Sequence, residues 1–488
     1  MKRSMLNKVA LFAALMLSMG IKLGQAQSDT VLVKIIGGQQ DDRGVKLIPL
    51  SNGDVLMLSS TNSTSSGMPH AWVHRLDSTF DVVWQTTIAD DPLIQPVDAV
   101  EHSNGNLSVL GLRYGGVENA YDWGGYTLDA AGNLLTEWHW GTEAWDIPTR
   151  ITERNDTLWS IGKTYASGVS DVAILGHVWL ENQWSLVSEA VISSSAEEDV
   201  VDALFLGNTL LVFCTINGDE HAQLFALNPP FNVVEWSYES SWEEPTQAVA
   251  LDERNGRVVA LMNVEMDGNS RLAFSCFDEG MQEPYLQTIP GSGFDIHAVD
   301  ATWFNDSTFA TVAQTNELGL GGEELLFSRW SGTTGAWQGG PSFGTAEDDE
   351  PKAMLNDESN RIWIVGASDA FSNGREDIYL LQIPNAGISG YIEEVELLIE
   401  DDVVSVPLLA ESVGSRVYPN PTKGAFWIES SPAIEGWTVF NGLGIPVLSG
   451  NGTSGNLENL PSGCYWIQLN SIESKPKSDI TRIVKLED

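Results

Sequence analysis

The sequence predicts an all-β chain, and three observations carry that prediction. First, glycine (46) and tryptophan (18) are abundant across 488 residues, which suits many tight turns between aromatic-bearing strands. Second, polar turn pairs recur at Asn52-Gly53, Asn104-Gly105, Asn155-Asp156, Gly207-Asn208, Asn255-Gly256, Asn305-Asp306 and Ser359-Asn360, with steps of 52, 51, 52, 48, 50 and 54. Third, each pair is followed by an apolar or alternating run of strand length, such as Asp54–Leu58, Thr157–Ile161, Arg257–Leu261 and Arg361–Val365. A third run follows in the same units (Ala71–Leu76, Ala222–Leu227, Asp377–Leu381), and a fourth tends to carry Trp84, Trp236 or Trp337. Four short strands per unit at a period near 50 is the pattern of propeller blades, so a seven-bladed β-propeller is expected over 27–387.

The two ends of the repeat support closure. The seventh unit offers three strands before Pro384-Asn385, while Val31–Ile36 is an orphan strand ahead of the first unit. Docked as the outer strand of the seventh blade, it leaves no blade edge unpaired.

Residues 1–26 read as a secretory signal peptide: Lys2, Arg3 and Lys8, then the apolar run Val9–Met19, then Gly24-Gln25-Ala26 for cleavage. Removing them leaves 21 basic against 67 acidic residues, and no later stretch is apolar for the ~20 residues of a membrane span. A chain this acidic is repelled by nucleic acid and by anionic lipid, which excludes both as partners. Cys214, Cys276 and Cys464 are too scattered for a disulfide framework, and the first two sit in apolar strands as small hydrophobes.

Residues 388–414 hold Glu393, Glu394, Glu396, Glu400, Asp401, Asp402 and Glu411 without Lys or Arg, the composition of a self-repelling linker. Residues 415–488 are balanced, six basic against seven acidic, so the charge lies almost wholly ahead of them. Their turn formers punctuate short alternating strands, which predicts a small Ig-like β-sandwich.

The motifs of that tail are Val417-Tyr418-Pro419-Asn420-Pro421-Thr422-Lys423-Gly424, then Asn441-Gly442-Leu443-Gly444, Ser462-Gly463-Cys464-Tyr465, and finally Arg482–Lys485. In this order they resemble the type A C-terminal sorting domain of the type IX secretion system of Bacteroidota. The resemblance marks Tyr418, Pro419, Asn420, Pro421, Gly424, Gly444, Gly463, Tyr465 and Lys485 as sorting-motif residues. It implies export through the periplasm to the cell surface or the medium, with the secretion machinery as partner. The blades are similar, more loosely, to secreted repeats of the same bacteria that read Gly-Gly-x-x-Asp-Asp, here Gly37-Gly38-Gln39-Gln40-Asp41-Asp42.

Catalytic motifs are sparse. The chain has no His-Glu-x-x-His and no Gly-x-Ser-x-Gly. His70, His74 and His139 read as packed residues rather than ligands or bases, and the fourth-strand Trp84, Trp138, Trp184, Trp236 and Trp337 as packing between blades. Acids cluster before the first strand of most blades, and Asp42, Asp91, Asp199, Glu244, Asp295 and Asp349 would form an acidic ring beside a central channel. They serve either as turn caps or as a site for Ca²⁺ or a basic partner. The expected function is therefore a secreted or cell-surface binding module, with a glycan or protein ligand on a propeller face. The alternatives are an exported polysaccharide- or peptide-degrading enzyme and a scaffold for surface proteins. A strongly shifted carboxyl or imidazole at the channel would favour the enzyme.

Overall fold

The computed structural model describes residues 32–485 apart from 39, 64–68, 80, 89–93, 115–120, 194–195, 218–220, 281, 291–293, 318–321, 358, 360, 371–375, 384–393, 397–414, 419–421, 431–433, 441–445, 461–462 and 472–478. The chain divides into two compact units, Met1–Val404 and Ser405–Asp488. The expected signal peptide lies outside the described residues, as does nearly all of the acidic stretch 388–414.

Among the described residues the first unit is all strand. After β1 (Leu32–Ile36), sheet 1 holds β2 (Asp42–Pro49), β3 (Val55–Thr61), β4 (His70–Leu76) and β5 (Val82–Ile88). Sheet 2 holds β6 (Ile94–Glu101), β7 (Leu107–Tyr114), β8 (Tyr121–Leu128) and β9 (Leu134–Trp140). Sheet 3 holds β10 (Asp146–Arg154), β11 (Thr157–Thr164), β12 (Asp171–Leu180) and β13 (Gln183–Ile192). Sheet 4 holds β14 (Glu197–Leu206), β15 (Thr209–Asn217), β16 (His221–Leu227) and β17 (Val234–Glu239). Sheet 5 holds β18 (Thr246–Arg254), β19 (Arg257–Met266), β20 (Asn269–Asp278) and β21 (Leu286–Thr288). Sheet 6 is β22 (His297–Asn305), β23 (Thr308–Thr315) and β24 (Glu324–Ser331), with β25 (Trp337–Gly339) and β26 (Ser342–Gly344) both paired to β24. Sheet 7 is β27 (Asp349–Asn356), β28 (Ile362–Ser368) and β29 (Asp377–Ile383).

Two pairings come from distant sequence. Strand β1 lies antiparallel on β29, with Val33 opposite Leu381 and Ile35 opposite Tyr379, and so makes the fourth strand of sheet 7. Strand β30 (Glu394–Glu396), inside the stretch read as a linker, lies parallel on the edge of β26.

Local chemistry explains the hairpins. Gly53, Gly105, Asn155, Asp156, Gly207, Asn255 and Gly256 all take positive φ, the conformation that the recurring pairs were read to supply. Asn305 turns the chain through its side chain instead, its Oδ1 accepting from the Ser307 amide at 2.9 Å.

The core sits between consecutive sheets. One apolar cluster joins sheets 1 and 2 around Leu56, Val109 and Tyr126; another joins sheets 4 and 5 around Phe213, Leu224 and Val258. The same arrangement joins sheet 7 to sheet 1 through Ile36, Leu47, Trp72, Trp363 and Leu380. Trp72, Trp123, Trp303 and Trp363 are wholly buried, each at such a junction. Truncating one to Ala costs ~3–5 kcal/mol in a typical core. The first strands also pack side by side, β2 on β6, β6 on β10, and so on through β27, which packs on β2.

The second unit has two antiparallel sheets, β31 (Ser415–Tyr418), β32 (Ala425–Ser430) and β35 (Ser454–Asn456) in one, and β34 (Pro446–Asn451), β33 (Ile434–Phe440), β36 (Gly463–Ser471) and β37 (Asp479–Lys485) in the other. They share a core of Val417, Phe426, Ile428, Trp437, Val439, Leu457, Tyr465, Ile467 and Leu469.

Candidate functional site: the central channel

Every first strand of the seven sheets is bulged at its middle. The register against the second strand shifts between Gly44 and Lys46, Pro96 and Asp98, Pro148 and Arg150, Val200 and Asp202, Ala248 and Ala250, Ala298 and Asp300, and Pro351 and Ala353. A bulge leaves one residue unpaired and re-aims its side chain, and proline before it forfeits no ladder bond. The skipped residues include Val45, Val97, Val201, Val249 and Val299, which line one cavity of about 240 Å³ together with Lys46, Arg150, Asp202, Asp300 and Lys352. A second cavity of about 360 Å³ continues along the same strands, past Asp98, Arg150, Glu153, Phe205 and Asp252.

The charges inside this channel are spent on one another and on the backbone. Arg150 stands between Asp98 and Asp202, its Nε 3.5 Å from each carboxylate. Burial alone would lower its pKa, but Asp98 and Asp202 hold it above the ordinary value. Asp98 accepts the Ile151 amide at 3.0 Å, Asp202 that of Leu251 at 2.9 Å and Asp300 that of Met354 at 2.8 Å. Each of these bonds ties one sheet to the next, and each satisfies a carboxylate that burial would otherwise penalise. Burial raises the Asp300 pKa, with Lys46 nearby opposing the rise.

Asp252 differs in degree. Its Oδ2 accepts the Trp303 amide at 2.5 Å, another bond between sheets. Burial lifts its pKa to about 7, the Trp303 bond opposing and Asp300 adding to the rise. His74, wholly buried beside Trp72, is pushed the other way to about 3, first by burial and then by Lys34. His102 links sheets 2 and 3 through Glu153 at 2.6 Å.

Of the six residues expected to form an acidic ring, Asp42, Asp199, Asp295 and Asp349 each engage a nearby partner through the side chain. Asp42 is buried and accepts from the Gly38 amide at 2.6 Å and the Ser63 hydroxyl at 2.9 Å. Asp349 repeats this with the Thr345 amide and hydroxyl, at 2.6 and 2.9 Å. Burial raises the pKa of both. Asp199 pairs with Lys163, and Asp295 accepts the Ser270 amide at 2.7 Å. The Glu244 carbonyl accepts from Thr246 at 2.9 Å, while Asp91 lies outside the described residues. Among the described residues no three His, Cys, Asp or Glu side chains gather closely enough to hold a metal ion.

What reading the sequence missed is the charged row of the channel itself, Lys46, Asp98, Arg150, Asp202, Asp252 and Asp300. A signal was present: Lys46, Asp98, Arg150 and Asp202 fall at steps of 52, each one residue after a valine or threonine. The fourth-strand tryptophans do pack between sheets. Trp84 donates to the Ala130 carbonyl at 3.0 Å, Trp184 to Thr127 at 2.8 Å, and Trp138 stacks on His177 at 4.1 Å. Trp337 is the exception at 44% exposed.

In the second unit the sorting-motif residues act mainly as structure. Tyr465 is a core residue and Tyr418 lies exposed near Trp427. The Gly424 amide donates to the Thr422 hydroxyl at 3.0 Å and its carbonyl accepts from the Leu457 amide at 2.8 Å, and a Cβ there would meet Asn456 Oδ1 at 2.7 Å. Lys485 is buried, its Nζ donating to the Glu458 carbonyl at 2.9 Å and the Leu460 carbonyl at 2.5 Å. Gly463 opens β36; Pro419, Asn420, Pro421 and Gly444 lie outside the described residues.

Residues 416–484 match the family of secretion system C-terminal sorting domains. No curated protein matches the chain. Among solved structures it is similar to an ulvan lyase bound to a -[GlcA(1-4)Rha3S]- fragment, at 9% identity and TM-score 0.47, over 72% of this chain and 96% of that one. It is also similar to the polysaccharide lyase Uly1 (9%, 0.45, 71% and 90%) and to Drosophila Plexin A in complex with Semaphorin 1b (8%, 0.42, 74% and 88%). The second unit thus carries a type IX sorting domain, which directs export to the cell surface or the medium. Among the described residues no helix is long and apolar enough to cross a membrane.

Proposed function

We propose that residues 27–387 form a seven-bladed β-propeller that works outside the cell as a binding module, delivered by an Ig-like sorting domain at 415–488 in a bacterium of the Bacteroidota type. The sorting domain supports the destination. The observation that carries the binding role is the state of the channel: Asp98, Asp202 and Asp300 are each engaged by an amide of the next sheet, and Arg150 by two carboxylates. Groups fixed in this way hold a ring of sheets together and have little freedom to move protons or attack a substrate. A rigid ring of this kind presents its faces and loops to a ligand.

One observation favours the enzyme instead. Burial pushes the pKa of Asp252, on the wall of the larger channel cavity, up to about 7, the range of a working acid or base. The two readings separate in one experiment on the mature chain. It is used to pull down ligands from glycan and cell-extract pools, and assayed for release of reducing ends and peptides from the same pools. The binding module predicts retention of unaltered ligand, the same in wild type and Asp252→Asn. Turnover that Asp252→Asn abolishes would establish the enzyme, and capture of surface proteins alone the scaffold.

A further inference from the structure

Trp145 occupies an exposed position that packing within the sheets does not explain. It stands just before β10 and is 56% exposed, and Tyr114 at the end of β7 is 38% exposed. Between them lies Tyr121 at the start of β8, and beyond Trp145 comes Tyr165 just after β11. Ring centroids run Tyr114–Tyr121 5.2 Å, Tyr121–Trp145 5.6 Å and Trp145–Tyr165 6.5 Å, the last two edge to face. The four rings make one row from sheet 2 to sheet 3, on the side where the first strands begin.

The row is preorganised. The Tyr165 amide donates to the Trp145 carbonyl at 2.9 Å, and the turn carrying Trp145 is closed by Thr142, whose hydroxyl donates to buried Asp146 at 2.9 Å. Tyr114 and Tyr121 are cross-strand partners. Lys163, 6.0 Å from the Tyr165 ring centroid, is neutralised by Asp199. Aromatic area held rigidly in water has lost its burial energy without gaining flexibility, which is characteristic of a recognition surface.

Three physical facts select the ligand. Four rings in successive contact fall well short of the ~800 Å² per partner of a stable protein interface, and suit a narrow ligand such as a single polymer chain. A net charge of -42 opposes nucleic acid and polyanionic glycans alike. Indole and phenol rings offer stacking to C–H faces, and the phenol hydroxyls offer hydrogen bonds to hydroxyl groups. We infer that Tyr114, Tyr121, Trp145 and Tyr165 form a subsite for a neutral, linear polysaccharide. This deepens the binding-module reading and rests on it.

The test is affinity electrophoresis and calorimetry of the mature chain with a soluble β-glucan, a xylan and a galactomannan, and alginate as the acidic comparison. At least one neutral polymer should retard the chain, insensitively to salt, and alginate should not. Trp145→Ala and Tyr114→Ala should each weaken binding about tenfold or more, the equivalent of ~1.4 kcal/mol. Trp145→Phe should retain most of it, and Trp337→Ala on sheet 6 should change nothing. Circular dichroism of each variant checks that it is folded. Wild type blind to all three neutral polymers, or Trp145→Ala binding as wild type does, overturns the subsite. A ligand captured equally by wild type and Trp145→Ala would leave the binding module standing and remove this site from it.

Discussion

Asp252 shows how a single carboxyl can serve a fold at a measurable cost. Its pKa of about 7 exceeds the ordinary aspartate value near 4, so the folded state holds a proton that the unfolded chain has released. Stability from this group is present at low pH and is lost as pH rises from about 4 to about 7. Asp252→Asn keeps an oxygen for the Trp303 amide and carries no charge. Its melting temperature should match wild type near pH 4 and exceed it by a few degrees at pH 8. A variant that melts below wild type at pH 8 would show that the ionised carboxylate is well accommodated. His74 acts in the opposite sense: its pKa is depressed to about 3, so its contribution is present above the unfolded value near 6.5 and is lost as pH falls below it.

Among elements, β1 does the most for its length. Five residues, Leu32–Ile36, supply the outer strand of sheet 7, and Val33 and Ile35 pack against the cluster shared by sheets 6 and 7. Because β1 precedes sheet 1 in the chain and pairs in sheet 7, it ties the first repeat to the last. Substituting proline at both Val33 and Ile35 removes two amide donors and should lower the melting temperature by several degrees while freeing the edge of β29. An unchanged melt would mean that the packing of β2 on β27 and β28 closes the unit without this strand. The bulges are a second case. A uniform ladder would keep strict alternation through each first strand, whereas the extra residue turns Val45, Val97, Val201, Val249 and Val299 toward the channel.

For the whole molecule, the two units divide folding from address. The sorting family match covers 416–484, and the core of Val417, Trp437, Tyr465 and Leu469 belongs to the second unit. Deleting 415–488 should leave the first unit folded and protease-resistant in the periplasm, with none at the surface or in the medium. Normal surface delivery of the truncated chain would assign the address elsewhere. The acidity of the first unit is consistent with a soluble, self-repelling surface.

The sequence by itself determined the strand-rich repeats, because Asn-Gly and Asn-Asp turns and apolar runs act locally and recur every 50 residues or so. It also determined the partner of β1, since an orphan strand and an incomplete last repeat complete one another, and it displayed the sorting motifs in order. It did not display the uses of the charges. The 52-residue step of Lys46, Asp98, Arg150 and Asp202 is visible, but among 67 acidic residues it does not say what each carboxylate meets. Asp98 and Ile151 lie 53 residues apart, and Met354 lies 54 from Asp300, so only the packing of sheet on sheet brings amide to carboxylate. The row from Tyr114 to Tyr165 likewise draws on four strand ends and loops. A local turn is fixed by the φ its own residues tolerate, but a contact between sheets is fixed by the whole ring that holds them together.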